Sequence, residues 1–205
     1  MAEPFSLADL QIVRPPGGGP YAEVEDRHAE ALLEANGFGR GPDELRRAID
    51  SGVGVIVAAA ARVAGITGDD DSLDLLAELR DPLLEETVLV QVGYALARNE
   101  RPRGIEMLAE QLEVDPATSP APLQAAGALA RLGDPRGWPL VLSALESGDD
   151  LNAMVACKQL FAFRDLDGQA TADGSRVDVD AGYRAALGRG GSIADEARLQ
   201  LREHA

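Results

Sequence analysis

The chain has 205 residues, 45% of them hydrophobic but only 4% aromatic, and a net charge of −16. That size and composition allow a substantial core, which must be built from Ala, Leu and Val, and this suits close helix packing better than a β-sandwich. The charge opposes binding to nucleic acid or to an anionic membrane and favours a basic partner.

Met1-Ala2-Glu3-Pro4 has neither a basic stretch nor an apolar run behind it, so no signal peptide is expected. No apolar run approaches the ~20 residues that span a bilayer. The longest is Val53 to Ala61. A cytoplasmic protein is the expectation. Residues 1–20 match nothing else in the chain and read as an arm carrying Phe5, Leu7, Leu10, Ile12 and Val13, followed by the linker Pro15-Pro16-Gly17-Gly18-Gly19-Pro20. The arm is expected either to fray or to pack on the first helix.

Tyr21 to Asn36 is the first predicted helix, with Val24, His28, Ala31, Leu32 and Ala35 on its inner stripe. Gly37-Phe38-Gly39 ends it, and Asp43 to Ser51 follows with Leu45 and Ile49 inward. Val53 to Ile66 is small and apolar all round, as expected of a helix buried between neighbours. Thr67-Gly68-Asp69 stops it, Asp71 is the expected N-cap of the next helix, and Leu73, Leu76 and Leu79 form that helix's face.

The centre of the chain is a duplication. Gln91 to Glu113 and Gln124 to Glu146 align at an offset of 33 residues without a gap, with identity at ten of 23 positions. The shared residues include the blocks Ala-Leu-Ala-Arg and Pro-Arg-Gly. A period near 33 is the mark of a stacked repeat. Each copy divides in two. In the second, a helical run ends at Gly133-Asp134-Pro135: Gly supplies a left-handed stop, Asp a cap, and Pro a first helical position. Trp138, Val141, Leu142 and Leu145 then repeat at i, i+3, i+4, i+7, as do Ile105, Leu108, Ala109 and Leu112 in the first copy. The unit is helix, tight turn, helix: Leu83 to Arg98 with Pro102 to Val114, then Pro120 to Leu132 with Pro135 to Ser147. The first copy has Asn99-Glu100-Arg101 at its turn, where a differently shaped turn is expected.

The string Ala128-Leu129-Ala130-Arg131-Leu132-Gly133-Asp134-Pro135-Arg136-Gly137 resembles a HEAT-type repeat and, more narrowly, the HEAT-like repeats found in phycobiliprotein lyases. The resemblance implies an α-solenoid with first helices on the outer face and second helices lining the inner one. The expected fold is all-α, a right-handed solenoid of about five stacked antiparallel helix pairs. It is expected to occupy residues 21–205 as one domain, with divergent capping helices at both ends. Toward the C-terminus, Asp149 and Asp150 are expected to cap a helix through Met154, Cys157, Leu160 and Phe161. Gln169 to Arg176 reads as a loop. Val179 to Leu187 and Ser192 to Arg202 read as closing helices, the last with Ser192 and Asp195 as a capping-box variant.

No catalytic constellation emerges. His28 lies near Glu25, Asp26 and Glu30, but zinc sites use several His or Cys ligands, so a partly buried helix histidine is the favoured reading. His204, at the end of the chain, has no visible partners. Asp165-Leu166-Asp167-Gly168 resembles the core of a calcium loop. The alignment, however, puts Phe163 and Gly174 where oxygen ligands are needed. Cys157 is the single cysteine and reads as core. Trp138 aligns with Ile105 and also reads as core rather than as an interface anchor. No cofactor or metal is expected.

Arg98, Arg131 and Arg164 recur at an offset of 33, as do Arg103 and Arg136. In a stack such residues form columns, which either complement helix dipoles and neighbouring acids or hold an acidic partner. The expected function is a non-enzymatic scaffold or adaptor binding a protein partner through the groove of second helices. The candidate positions there are Arg103, Glu106, Glu110, Arg136, Ser143 and Glu146. The resemblance also implies an alternative, a lyase-like role on a chromophore-bearing partner, for which no residue can be carried over. A DNA-repair glycosylase on helical repeats needs a basic groove and conflicts with the charge.

Overall fold

A computed structural model describes residue 11, residues 21–79 and residues 84–202, with residues 21–24 described by backbone only. The rest of the N-terminal arm and linker, Leu83 and His204 lie outside the described residues, as does the side chain of Val24.

Among the described residues the protein is almost wholly helical: α1 (Tyr21–Ala35), α2 (Pro42–Asp50), α3 (Gly54–Thr67), α4 (Asp70–Glu78), α5 (Glu86–Arg98), α6 (Pro102–Leu112), α7 (Ala121–Arg131), α8 (Trp138–Ser147), α9 (Asp150–Gln159), α10 (Val179–Arg189) and α11 (Gly191–Arg202), with 3-10 segments at Pro135–Gly137 and Leu160–Leu166. They fall into two compact units, divided between Glu106 and Met107. Each is a stack of helix pairs of the α-solenoid kind.

In the first unit α3 packs between α1 and α5, while α2 and α4 form the second layer. The small side chains of α3 explain its central place: Ala59, Ala60, Ala61, Val63 and Ala64 are buried, as is Gly65. A helix without bulk admits neighbours on several sides. On α1 the buried residues are Ala29, Leu32 and Leu33 rather than Ala31, so the inner stripe is rotated slightly from the sequence expectation. Phe38 folds back under the end of α1, its N–H donating to Leu33 O at 2.9 Å after Gly37 turns left-handed. At the N-terminal end, Gln11 is bound through its main chain. The Asn36 side chain accepts from Gln11 N at 2.6 Å and donates to Gln11 O at 2.8 Å.

Helix α4 starts two residues earlier than expected. Asp69, not Asp71, is the cap, with extended backbone and a carboxylate that accepts from Ser72 N at 3.1 Å. The position follows Gly68, just as Asp134 follows Gly133. The turn at Asn99-Glu100-Arg101 also departs from expectation, because it has the same shape as the glycine turn. Arg101 N donates to Leu96 O at 3.0 Å, and Asp134 N to Leu129 O at 2.9 Å.

The second unit has one layer of α7, α9 and α11 and another of α8 and α10. Its core gathers Leu123, Trp138, Val141, Leu145, Cys157, Leu160, Phe163 and Tyr183. Trp138 is 1% exposed and its ring lies 5.3 Å from that of Phe163, so it is a core residue. The expected Phe161 is instead exposed, because the chain tightens into the 3-10 segment Leu160–Leu166 and turns Phe163 inward. Asp149 caps α9 by accepting from Asn152 N at 2.8 Å. Residues 169–176 form a compact turn with a single antiparallel bridge between Ala170 and Arg176. Helix α11 begins at Gly191, which places Ser192 inside its first turn rather than at the cap.

The repeated Pro-Arg-Gly block has a packing reason. At Gly137 a side-chain carbon would stand 2.6 Å from Ala126 Cα on α7, and at Gly104 it would stand 2.8 Å from Ala97 Cα on α5. Each glycine lets the start of a second helix press onto the backbone of the first.

Candidate functional site

The six expected binding positions occupy two second-helix segments. Arg103, Glu106 and Glu110 follow one another at helical spacing on α6. Ser143 and Glu146 do the same on α8, and Arg136 sits in the 3-10 turn that leads into it. Glu106, Glu110, Arg136, Ser143 and Glu146 are exposed, and Arg103 is half-buried. The opposite sides of the same helices are buried through Met107 and Leu108, and through Val141, Ala144 and Leu145.

The arginines in this set already have local partners. Arg103 Nη1 lies 3.3 Å from Glu106 Oε2, one turn on. Arg136 Nη2 lies 2.6 Å from Asp134 Oδ2, the same carboxylate group that caps the Pro135–Gly137 turn. Hydrogen bonding and attraction from Asp134 raise the Arg136 guanidinium above its ordinary range, against the opposing effect of its partial burial. Exposed pairs of this kind contribute little to stability. Their effect is to hold each guanidinium near its own helix.

The other arginine column is held differently at each position. Arg98 lies over the Tyr94 ring at 5.9 Å. Arg164 lies 5.6 Å from both the Phe161 and Tyr183 rings, and its Nη2 reaches Gln200 O at 3.5 Å. Arg131 is partly buried at the end of α7 and makes no hydrogen bond or ion pair with a described residue. Arg131 and Arg164 line one pocket of about 480 Å³ within the second unit. The sequence offset of 33 pointed to this pair, but the hollow depends on the 3-10 segment, which periodicity does not reveal.

A smaller pocket of about 190 Å³ lies among α1, α3 and α5, with His28, Val55, Arg62 and Gln91 on its walls. Arg62 is its polar anchor. Its guanidinium meets Glu25 at 2.9 Å, Asp26 at 2.6 Å and Gln91 at 3.3 Å, so it ties three neighbouring helices together. His28 is partly buried on α1. Among the described residues no three His, Cys, Asp or Glu side chains gather where a metal could bind. Asp167 has a structural task, accepting from Val179 N at 3.0 Å at the start of α10.

Cys157 is fully buried, its thiol directed to Ile193 O at 3.7 Å. Burial pushes it up to about 12, with Glu196 adding to the effect and Lys158 opposing it. A thiol held protonated and out of solvent is no nucleophile. Among the described residues no helix is long and apolar enough to cross a membrane.

No known family, no curated protein and no solved structure matches the chain.

Proposed function

We propose that the protein is a non-enzymatic interaction scaffold, a right-handed HEAT-like α-solenoid of about five helix pairs. It binds a protein partner through a groove lined by its second helices. The supporting observation is that α6 and α8 each carry exposed charged or polar residues opposite a buried apolar stripe, with Arg103 and Arg136, and Glu110 and Ser143, at matching repeat positions. Repeat stacks present such positions as extended binding surfaces. The set contains Glu106, Glu110 and Glu146, so on a chain of charge −16 the partner surface it fits is basic.

The test compares the wild-type chain with a variant carrying Glu106→Lys, Glu110→Lys and Glu146→Lys. Each is tagged and used to capture partners from the native cell lysate at low and high salt. A stoichiometric basic partner, lost at high salt and lost in the variant, supports the reading. Equal capture by the variant with unchanged helicity rejects the proposed face. A coloured eluate would favour the chromophore-lyase alternative instead.

A further inference from the structure

We propose that the pocket lined by Arg131 and Arg164 is a binding site for a small monocarboxylate carried on an apolar body. It lies between the C-terminal end of α7 and the 3-10 segment Leu160–Leu166. Its volume of about 480 Å³ falls within the range of small-molecule sites, which pair apolar walls with a few convergent polar groups.

The charges define the ligand. Arg131, Arg164 and Asp165 are the charged residues on its lining, two positive and one negative, which leaves a single formal positive charge. One carboxylate neutralises it, whereas a phosphate dianion overshoots. The two arginines are also unequally committed. Arg164 is fixed by the Phe161 and Tyr183 rings and by Gln200 O, and makes no ion pair with a described residue. Arg131 has no hydrogen bond or ion pair with a described residue. A planar guanidinium in that position presents a fork of N–H donors suited to two carboxylate oxygens. Ala130, Leu166 and the 38%-exposed Phe161 form the apolar wall beside it. Dipole complementation at the end of α7 accounts for a positive charge there. It does not account for the apolar hollow next to it.

The probe is phenylacetate, titrated into the ¹⁵N-labelled full-length chain and followed by NMR. Phenylacetamide serves as the neutral isostere and inorganic phosphate as the alternative anion. Phenylacetate is expected to give saturable shifts at the Arg131 and Arg164 Nε–H signals and at the Gly133 amide. Arg131→Gln is expected to weaken binding about tenfold, the loss of one charge-assisted pair. Arg198→Gln on α11, where the guanidinium pairs with Asp195 at 2.7 Å, should leave it unchanged. Phe161→Ser keeps every charge and should weaken phenylacetate several-fold, a second measure should Arg131→Gln fold poorly. The proposal is overturned by equal binding of phenylacetamide, by tighter binding of phosphate, or by undiminished affinity in folded Arg131→Gln. It is equally overturned if phenylacetate gives no saturable shift at millimolar concentrations.

Discussion

Glu100 and Gly133 occupy the same repeat position and share the same left-handed backbone, with φ of 60° and 86°. Among the described residues Glu100 is the one non-glycine residue with positive φ. The hydrogen bonds around it hold this turn in the shape that glycine adopts freely in the next repeat. A side chain in that region costs about 1 kcal/mol. Glu100 is exposed, so its side chain makes no compensating core contact. Glu100→Gly is therefore expected to stabilise the protein by about 0.5 kcal/mol, after allowing for the extra freedom of glycine in the unfolded chain. Urea unfolding followed by helix circular dichroism measures this. A loss of stability would mean that Glu100 contributes something its exposure conceals.

The glycines of the Pro-Arg-Gly block respond in the opposite way. Gly137→Ala places a carbon 2.6 Å from Ala126 Cα, a backbone atom that cannot swing aside. The helices must separate, and overpacking of this kind costs about 1–3 kcal/mol. Gly104→Ala meets Ala97 and Gly93 in the same manner. Gly41→Ala, with open space around it, is the control and should change stability little. Comparable midpoints for all three variants would show that the helices tolerate wider spacing.

Much of this architecture was legible in the chain, for reasons tied to particular residues. Ala-Leu-Ala-Arg followed by Gly-Asp-Pro marks a helix, its stop and the next start, because each residue type has a distinct backbone preference. Where a side chain chooses among similar neighbours, sequence falls short. Asp69, Asp70 and Asp71 are equivalent acids, and the left-handed Gly68 decides that the first one caps. Phe161 and Phe163 exchange roles because a 3-10 segment replaces the α-helical period there. For the candidate site, helical spacing identified which positions on α6 and α8 face outward. It did not reveal that Arg103 and Arg136 are engaged by Glu106 and Asp134, since the first depends on rotamers and the second on a local cap. Arg62 passed unnoticed because its partners lie in α1 and α5, 29 to 37 residues away in the chain.

Arg62 gives a third expectation. Its side chain is 10% exposed and binds two carboxylates that are about one-third exposed. Removing the guanidinium leaves Glu25 and Asp26 adjacent, partly shielded from water and without their shared counter-ion. Arg62→Met keeps the stem packing and is expected to cost about 2 kcal/mol, less than a fully buried pair because the acids retain some solvent. Adding Glu25→Gln and Asp26→Asn should recover part of that loss. If the triple variant is no more stable than Arg62→Met, repulsion between the two acids is not the cause.

Cys157 makes stability depend on alkaline pH in a defined direction. Burial raises its thiol from the ordinary 9.0 to about 12 in the folded protein. Between those values the unfolded chain loses the proton and the folded chain keeps it. The unfolded state is thus favoured increasingly as pH rises. The stability linked to the protonated thiol is complete below pH 9.0 and is lost up to about pH 12. The slope is at most about 1.4 kcal/mol per pH unit. Burial also raises the Tyr183 hydroxyl, against the lowering effect of Arg164, so wild-type data alone mix two groups. The difference between wild type and Cys157→Ala isolates the thiol together with its effect on Tyr183, whose hydroxyl the charge on Cys157 also raises. That difference should be flat below pH 9.0 and fall, at wild type's expense, above it. In the same samples at pH 8 a disulfide reagent such as Ellman's should label Cys157 rapidly in urea and only slowly in the native protein. A difference independent of pH, or fast native labelling, would show that the thiol reaches solvent and that α9 and α11 do not enclose it.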